Sequence, residues 1–325
     1  MILENLDKKP LVSVLMITYK HEQFIEQAVR GVLNQLCNFK FELIVADDCS
    51  PDNTRAKLKS VISNHPMGYC VKYIRHDQNI GMHRNADFVM QAAVGKYIAI
   101  CEGDDFWTDP LKLQIQVDFL EKNLDYGLVH HEADYFFQAK QKLVPNFHKR
   151  NKILVSTGCV FEELLRHNNI YTPTVMYRRQ LLGHYFAINQ GIRNNFLMGD
   201  YAMWLEFSQH SKFHYINKSM AVYRVLVNSA SHTGDFRSKL FFLSSYCQIK
   251  YYFLKKYKVN NFPTSKIKQY YLQQASVFSL RYSEFTKAWI FAKRLQWDSI
   301  KKVILYFVCS IFYYVKPLRL LSKFI

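Results

Sequence analysis

Glu102, Asp104 and Asp105 place three carboxylates within four positions of the stretch CEGDDFWTDP (101–110). Carboxylates this close raise one another's pKa unless a positive charge sits among them. Such a group is either bathed in water or gathered around a cation. Hard oxygen donors suit Mg2+ or Mn2+, and one or two carboxylates plus a substrate's phosphates complete such a site. A second acidic pair, Asp47-Asp48, ends FELIVADD (41–48), and a lone Asp200 follows far along the chain in MGDYAMW (198–204). A carboxylate that reaches a substrate hydroxyl takes its proton as the oxygen attacks, an effect of about 10²–10⁴ in rate. Each group also has a plainer reading. DDCSPDNT (47–54) is rich in turn and cap residues, and Asp200 taken alone does no more than cap a helix.

The elements that carry these acids would bring them together. LVSVLMITY (11–19) is an almost unbroken β-branched and apolar run, the pattern of a strand buried in a parallel sheet. A helix is expected over 23–35, and FELIVADD then repeats the theme of an apolar strand ending in acids. SPDNT (50–54) supplies a turn and a cap, Asp52 or Asn53, for a helix reaching Asn64. Strand 71–75, helix 84–93 and strand 96–101 continue the alternation. Strands alternating with helices imply right-handed crossovers and a doubly wound α/β sheet, whose ligands bind beyond the carboxyl ends of the strands. Two of these ends are acidic and a third is Thr18-Tyr19, so the polar ends on one sheet edge describe a site.

Past Pro110 the spacing predicts helix over 111–123, strand 127–131, helix 160–167, strand 174–177, helix 202–209 and strand 212–216. Residues 135–155 read as an irregular loop region. Trp107 reads as a packing residue and Arg84, taken alone, as a surface arginine. His130-His131 reads as a strand end and not a metal pair, because adjacent strand residues point to opposite faces.

The 325 residues carry a formal charge of +17, unevenly spread. Residues 235–325 hold 17 Lys/Arg against three acids, Asp235, Glu284 and Asp298, which leaves +14 there and +3 on the rest. In that quarter VILYFVCSIFYYV (303–315) is apolar apart from its tyrosines and one serine, with lysines on both sides. Its 13 residues fall short of the roughly 17–25 that span a bilayer. Cations and aromatics beside a short apolar run suit a helix lying in an anionic membrane interface. The seven cysteines (37, 49, 70, 101, 159, 247, 309) form no C-x-x-C pair, so a reduced, cytoplasmic setting is expected. MILENLDKKP (1–10) has acids and no apolar core, unlike a signal peptide.

Other classes of function fit less well. A nucleotidyltransferase would also use an α/β sheet and Mg2+, but LMITYKHEQ (15–23) contains no glycine where its phosphate loop belongs, and there is no P-loop or G-x-G-x-x-G. A non-catalytic module that binds nucleic acid would use the basic, aromatic tail but leave 303–315 without a role. An anionic membrane surface accounts for both features, at about 1 kcal/mol per surface Lys/Arg.

In order along the chain stand VSVLMITY (12–19) with HEQFIEQAVRGVLNQ (21–35), ADDCSPDNT (46–54), NIGMHRNADFVMQAAVGKYIAI (79–100), EGDDFWTDPLKLQIQVDFLEKN (102–123) and GDYAMWLEFSQHSKFHYINKSMAVYR (199–224). This series resembles glycosyltransferase family 2, nucleotide-sugar-dependent enzymes with the GT-A fold, from about Pro10 to Ser231. The resemblance implies a GT-A Rossmann-like doubly wound mixed sheet over 1–232 and a helical, basic and aromatic membrane-associating extension over 233–325. It implies that Tyr19 and Asp48 meet the nucleotide base with Asp47 beside them. Thr18 and Glu22 would line the same nucleotide-sugar site, and Arg84 would approach base or diphosphate. Glu102 stands at the first position of the family's D-x-D motif, Asp104 and Asp105 would hold Mg2+ or Mn2+, and Asp200 matches the catalytic base. Many relatives carry a histidine two residues after the late Tyr-Arg pair, where this chain has Leu226, with His232 nearby but out of register. The activity implied is transfer, with inversion, from a nucleoside diphosphate sugar, UDP-linked by analogy, to a glycan or lipid-linked acceptor. Capsule, O-antigen or lipopolysaccharide synthesis at the inner face of the cell membrane is the implied setting. Against an inactive relative, Asp104, Asp105 and Asp200 are all present.

Overall fold

The computed structural model describes residues 9–227 and 235–314. They fall into two compact units, 9–191 with 199–226, and 192–198 with 227 and 235–314. The boundary expected at 232, like His232 itself, lies outside the described residues.

The first unit is built on a nine-stranded mixed sheet. β1 (Val12–Thr18), α1 (Ile25–Leu33), β2 (Phe41–Asp47), α2 (Thr54–Asn64), β3 (Val71–Arg75), α3 (Met82–Ala92) and β4 (Tyr97–Ile100) alternate as the apolar runs predict. β1 pairs in parallel with β2 and β4, and β2 with β3. β1 and β2 are covered on both faces, which is why they read as unbroken apolar runs and not as alternation. α1 turns Ile25, Ala28, Val29 and Val32 inward, the i, i+3, i+4, i+7 stripe of a helix laid on a sheet.

There follow β5 (Phe106–Trp107), α4 (Lys112–Lys122), β6 (Tyr126–Phe137), β7 (Lys142–Val144), α5 (Phe147–Arg150), α6 (Phe161–Arg166), β8 (Met176–Arg178), α7 (Leu182–Phe186), α8 (Gln190–Arg193), α9 (Gly199–Ser208) and β9 (Lys212–Val225). Across the sheet the order is β3-β2-β1-β4-β8-β6-β9-β5, with β7 paired to β6. Of the loop region expected over 135–155, the first part is instead the end of β6, then β7 and α5, while 151–155 are irregular as expected. β6 and β9 are longer than their apolar cores because each continues as the other's parallel partner, through register shifts at His131–Ala133. His130 and His131 are therefore buried inside a strand, not at its end. α9 is buried along its whole length from Tyr201 to Ser208, as befits a helix that is apolar on every side.

The second unit packs Ile192–Met198 with α10 (Phe236–Lys256), α11 (Thr264–Arg281), α12 (Phe285–Ala292) and α13 (Ile300–Tyr314). Asp235 caps α10 by accepting the Ser238 N–H at 2.9 Å. Leu272, Ala288, Ala292, Leu295 and Cys309 form a core of their own. Among the described residues no helix is long and apolar enough to cross a membrane.

Candidate active site

The turn after β4 carries the three acids to the sheet edge. One carboxylate oxygen each from Glu102, Asp104 and Asp105 lies within 4.8 Å of the others, and among the described residues this is the one group able to hold a metal ion. Gly103 makes the turn possible. Its N–H donates to the Ile17 carbonyl at 3.0 Å, and a Cβ there would stand 2.7 Å from both Thr18 Oγ1 and His21 Nδ1. Those two buried atoms, and Asp105 Oδ2, take part in no hydrogen bond. Grouped at a strand end, these three atoms are placed to receive a ligand.

Asp105, just before β5, is held by the adjacent strand β9. Its Oδ1 accepts the Arg224 N–H of β9 at 2.8 Å. The Arg224 guanidinium donates to the Asp104 carbonyl at 2.7 Å, to Gln138 Oε1 at 2.6 Å and to Gln27 Oε1 at 2.7 Å, among the rings of Phe24, Phe106 and Phe136. It thus clamps the backbone of the acid turn, and its charge offsets part of that of Asp105. Burial first, and then the charges of Asp104 and Glu102, push the Asp105 carboxyl well up. Burial, Asp104 and Asp200 push Glu102 up to about 8. Three hard oxygen donors close together, one of them with a buried oxygen unpaired, fit a divalent cation. Leu226, just after β9, has an apolar side chain and offers no metal ligand.

Asp200 opens α9. Its carboxylate accepts from Thr172 Oγ1 at 3.5 Å, and burial raises its pKa. After burial, the charges of Asp104 and then Asp200 act on Glu102, so the distant aspartate lies within electrostatic reach of the acid turn. Trp107 ties them: its Nε1 donates to the Pro173 carbonyl at 2.9 Å, next to Thr172, and its ring lies 4.1 Å from the buried Lys112 ammonium. This is the packing role expected of it.

The early pair lies at the neighbouring strand end. Asp48 accepts the Ile80 and Gly81 N–H groups at 2.7 and 2.9 Å, one on each oxygen, and donates its own N–H to the Thr18 carbonyl at 2.9 Å. It fixes the loop that leads into α3, where Gly81 takes φ 87°, a value that favours glycine. Asp47 turns inward, accepting from Ser50 N at 2.9 Å and Tyr73 Oη at 3.0 Å, with Arg75 Nε at 3.8 Å. Glu22 accepts the Asn53 N–H at 2.9 Å. Tyr19 and, in the first turn of α3, Arg84 are exposed.

Three features went unread in the sequence. Arg224 was visible only as half of a Tyr-Arg pair, and Thr172 carried no signal. The third is an aromatic group: Tyr135 stacks on Phe147 at 3.7 Å and meets Tyr171 and Tyr223 at 5.1 Å each. Burial and its tyrosine neighbours, then Asp105, raise the Tyr135 phenol, which places it within the field of the acid turn.

Residues 13–186 match the family model described as glycosyl transferase family 2. An uncharacterized protein of Mycobacterium tuberculosis is 32% identical over 225 residues, 69% of this chain and 61% of that protein, so the chain spans less than two thirds of that relative. An Escherichia coli UDP-Glc:alpha-D-GlcNAc-diphosphoundecaprenol beta-1,3-glucosyltransferase is 25% identical over 210 residues, 64% of this chain and 73% of that enzyme. Among solved structures, a mannosyltransferase of Pyrobaculum calidifontis in complex with GDP-Man and Mn2+ has a TM-score of 0.60 at 14% identity, covering 98% of this chain and 84% of that one, a likeness of fold.

Proposed function

Because the chain belongs to glycosyltransferase family 2, we propose that its nine-stranded unit transfers a sugar from a nucleoside diphosphate donor to a hydroxyl of a glycan or lipid-linked acceptor. The observation that carries this reading is the cluster of Glu102, Asp104 and Asp105 oxygens within 4.8 Å of one another at a strand end of a chain whose residues 13–186 match the family. A donor lying between the acid turn and α9 would have its diphosphate on one side and the attacking oxygen on the other. The acceptor oxygen bonds to the anomeric carbon as the carbon–phosphate oxygen bond breaks, and the electron pair leaves with the nucleoside diphosphate. Asp200 takes the acceptor's proton, and the Thr172 hydroxyl at 3.5 Å orients its carboxylate. Glu102, Asp104 and Asp105 would hold Mg2+ or Mn2+, which when bound offsets the charge gathering on the diphosphate. Asp48 and Tyr19 would border the base, and Thr18, Glu22, Asp47 and Arg84 the rest of the donor. Attack from the side opposite the leaving group inverts the anomeric centre. NMR of the first-formed product reads the configuration, and a retained one would refute this step.

The E. coli relative acts, by its name, with UDP-Glc on a diphosphoundecaprenol-linked sugar, and the P. calidifontis neighbour holds GDP-Man. These support a nucleotide sugar, with uridine tried first, and a role in surface polysaccharide assembly at the inner face of the membrane. In the test, Asp105→Asn and Asp200→Asn each lower transfer by about 10² or more. Only Asp105→Asn weakens metal-dependent donor binding in titration calorimetry. Equal loss of donor affinity in both would undo the division of roles.

A further inference from the structure

α13 is apolar on two opposite faces, and its own unit uses one. Leu305 and Cys309 pack with Leu272, Ala288, Ala292 and Leu295, and Phe312 stacks on Phe285 at 5.4 Å. On the other side Ile300, Ile304, Phe307, Ile311 and Tyr314 recur every three or four residues, so they form one stripe. They are 76%, 56%, 51%, 46% and 68% exposed. Trp297, 60% exposed, stands one turn ahead with its ring 6.3 Å from Phe307 and extends the row. A contiguous apolar row of this size on a folded surface marks a place where something binds.

We propose that this face of α13 docks on an anionic lipid bilayer, with Ile304, Phe307 and Ile311 among the acyl chains and Trp297 and Tyr314 at headgroup level. Charge selects lipid over a second copy of the chain. Residues 235–325 carry 17 Lys/Arg against three acids, and Lys293, Arg294 and Lys301 are exposed near the row. Two such units face to face would repel, whereas acidic headgroups supply the missing negative charge. Length selects lying over crossing. The 15 residues of α13 reach about 22 Å at 1.5 Å per residue, less than the roughly 30 Å of a bilayer core. The aromatic ends suit the membrane–water boundary. With its inner face fixed in the α11–α12 core, α13 presents this row without first having to fold, unlike a free amphipathic peptide. The inference deepens the membrane placement in the proposed function and rests on none of its chemistry.

The full chain is floated with phosphatidylglycerol vesicles and with phosphatidylcholine vesicles, as wild type and as Ile304→Asp with Phe307→Asp. Wild type binds phosphatidylglycerol and its tryptophan emission moves to shorter wavelength, a shift that Trp297→Phe removes. The double variant binds about a hundredfold more weakly or worse, since each large apolar side chain taken out of the acyl region gives about tenfold or more. Its melting temperature and metal-dependent donor binding stay those of wild type, which separates a failure of docking from a failure of the sugar-transfer reading. If the aspartates lower the melting temperature, Ile304→Ser with Phe307→Ser repeats the comparison. Undiminished binding by a folded double variant overturns the proposal. Equal binding to both lipids overturns its anionic part. A wild type that ignores vesicles but dimerises, with the double variant monomeric, overturns it in favour of a second copy.

Discussion

Glu102 shows how a single side chain reports on a site. A glutamate ordinarily ionises near 4.5, and here burial with the charges of Asp104 and Asp200 holds it to about 8. The folded chain therefore keeps a proton that the unfolded chain has lost between those two values, so stability falls as pH rises through the window. In the presence of chelator, the melting temperature of wild type is expected to drop from about pH 4.5 to about pH 8 more steeply than that of Glu102→Gln. Parallel profiles would mean that burial and the neighbouring charges do not raise Glu102. Glu132 has the opposite sign. It accepts from the His148 ring and from the His148, Lys149 and Ala133 N–H groups, is held down to about 2, and adds stability that is lost as pH falls below the usual glutamate range. The acid turn was legible in the sequence because its members are neighbours. Arg224 and Thr172 were not, because nothing local to either residue says what it will touch.

Strands, not loops, hold the acid turn in shape. β9 returns 119 residues later to bond Asp105, and Arg224 at its end spans three acceptors on three separate segments, at Asp104, Gln138 and Gln27. A planar guanidinium reaches all three at once and an ammonium does not. Arg224→Lys is therefore expected to destabilise the protein by about 1.5–3 kcal/mol in urea unfolding, the range for buried hydrogen bonds to a charged group. The same change should weaken divalent-ion binding by loosening the turn. Wild-type stability in that variant would show the clamp to be incidental. β6 and β9 also explain why 135–137 was misread as loop. Glu132 and Asp134 interrupt the apolar run of β6, and only the partner strand reveals that the backbone N–H and C=O groups through Phe137 are paired.

The charge of +17 resides mainly beyond residue 235 and belongs to the unit that carries the open face of α13. Raising salt from about 0.01 to 0.1 M shortens the reach of charge from roughly 30 to 10 Å. Binding to phosphatidylglycerol vesicles is expected to weaken by about tenfold or more over that range, leaving a residue due to the apolar row. Salt-independent binding would remove charge from the account. The sequence by itself determined the parallel half of the sheet, β1 through β4 with their helices, and the acidic ends of those strands. Each such element is written in consecutive residues, where burial on both faces leaves an unbroken apolar run. Only the tertiary structure decided that the charge of Asp200 reaches Glu102, that β9 clamps the acid turn, and that, among the described residues, one apolar face of α13 finds a core while the other does not. Those outcomes depend on which surfaces the crossovers bring together, and side chains distant along the chain carry no mark of their eventual neighbours.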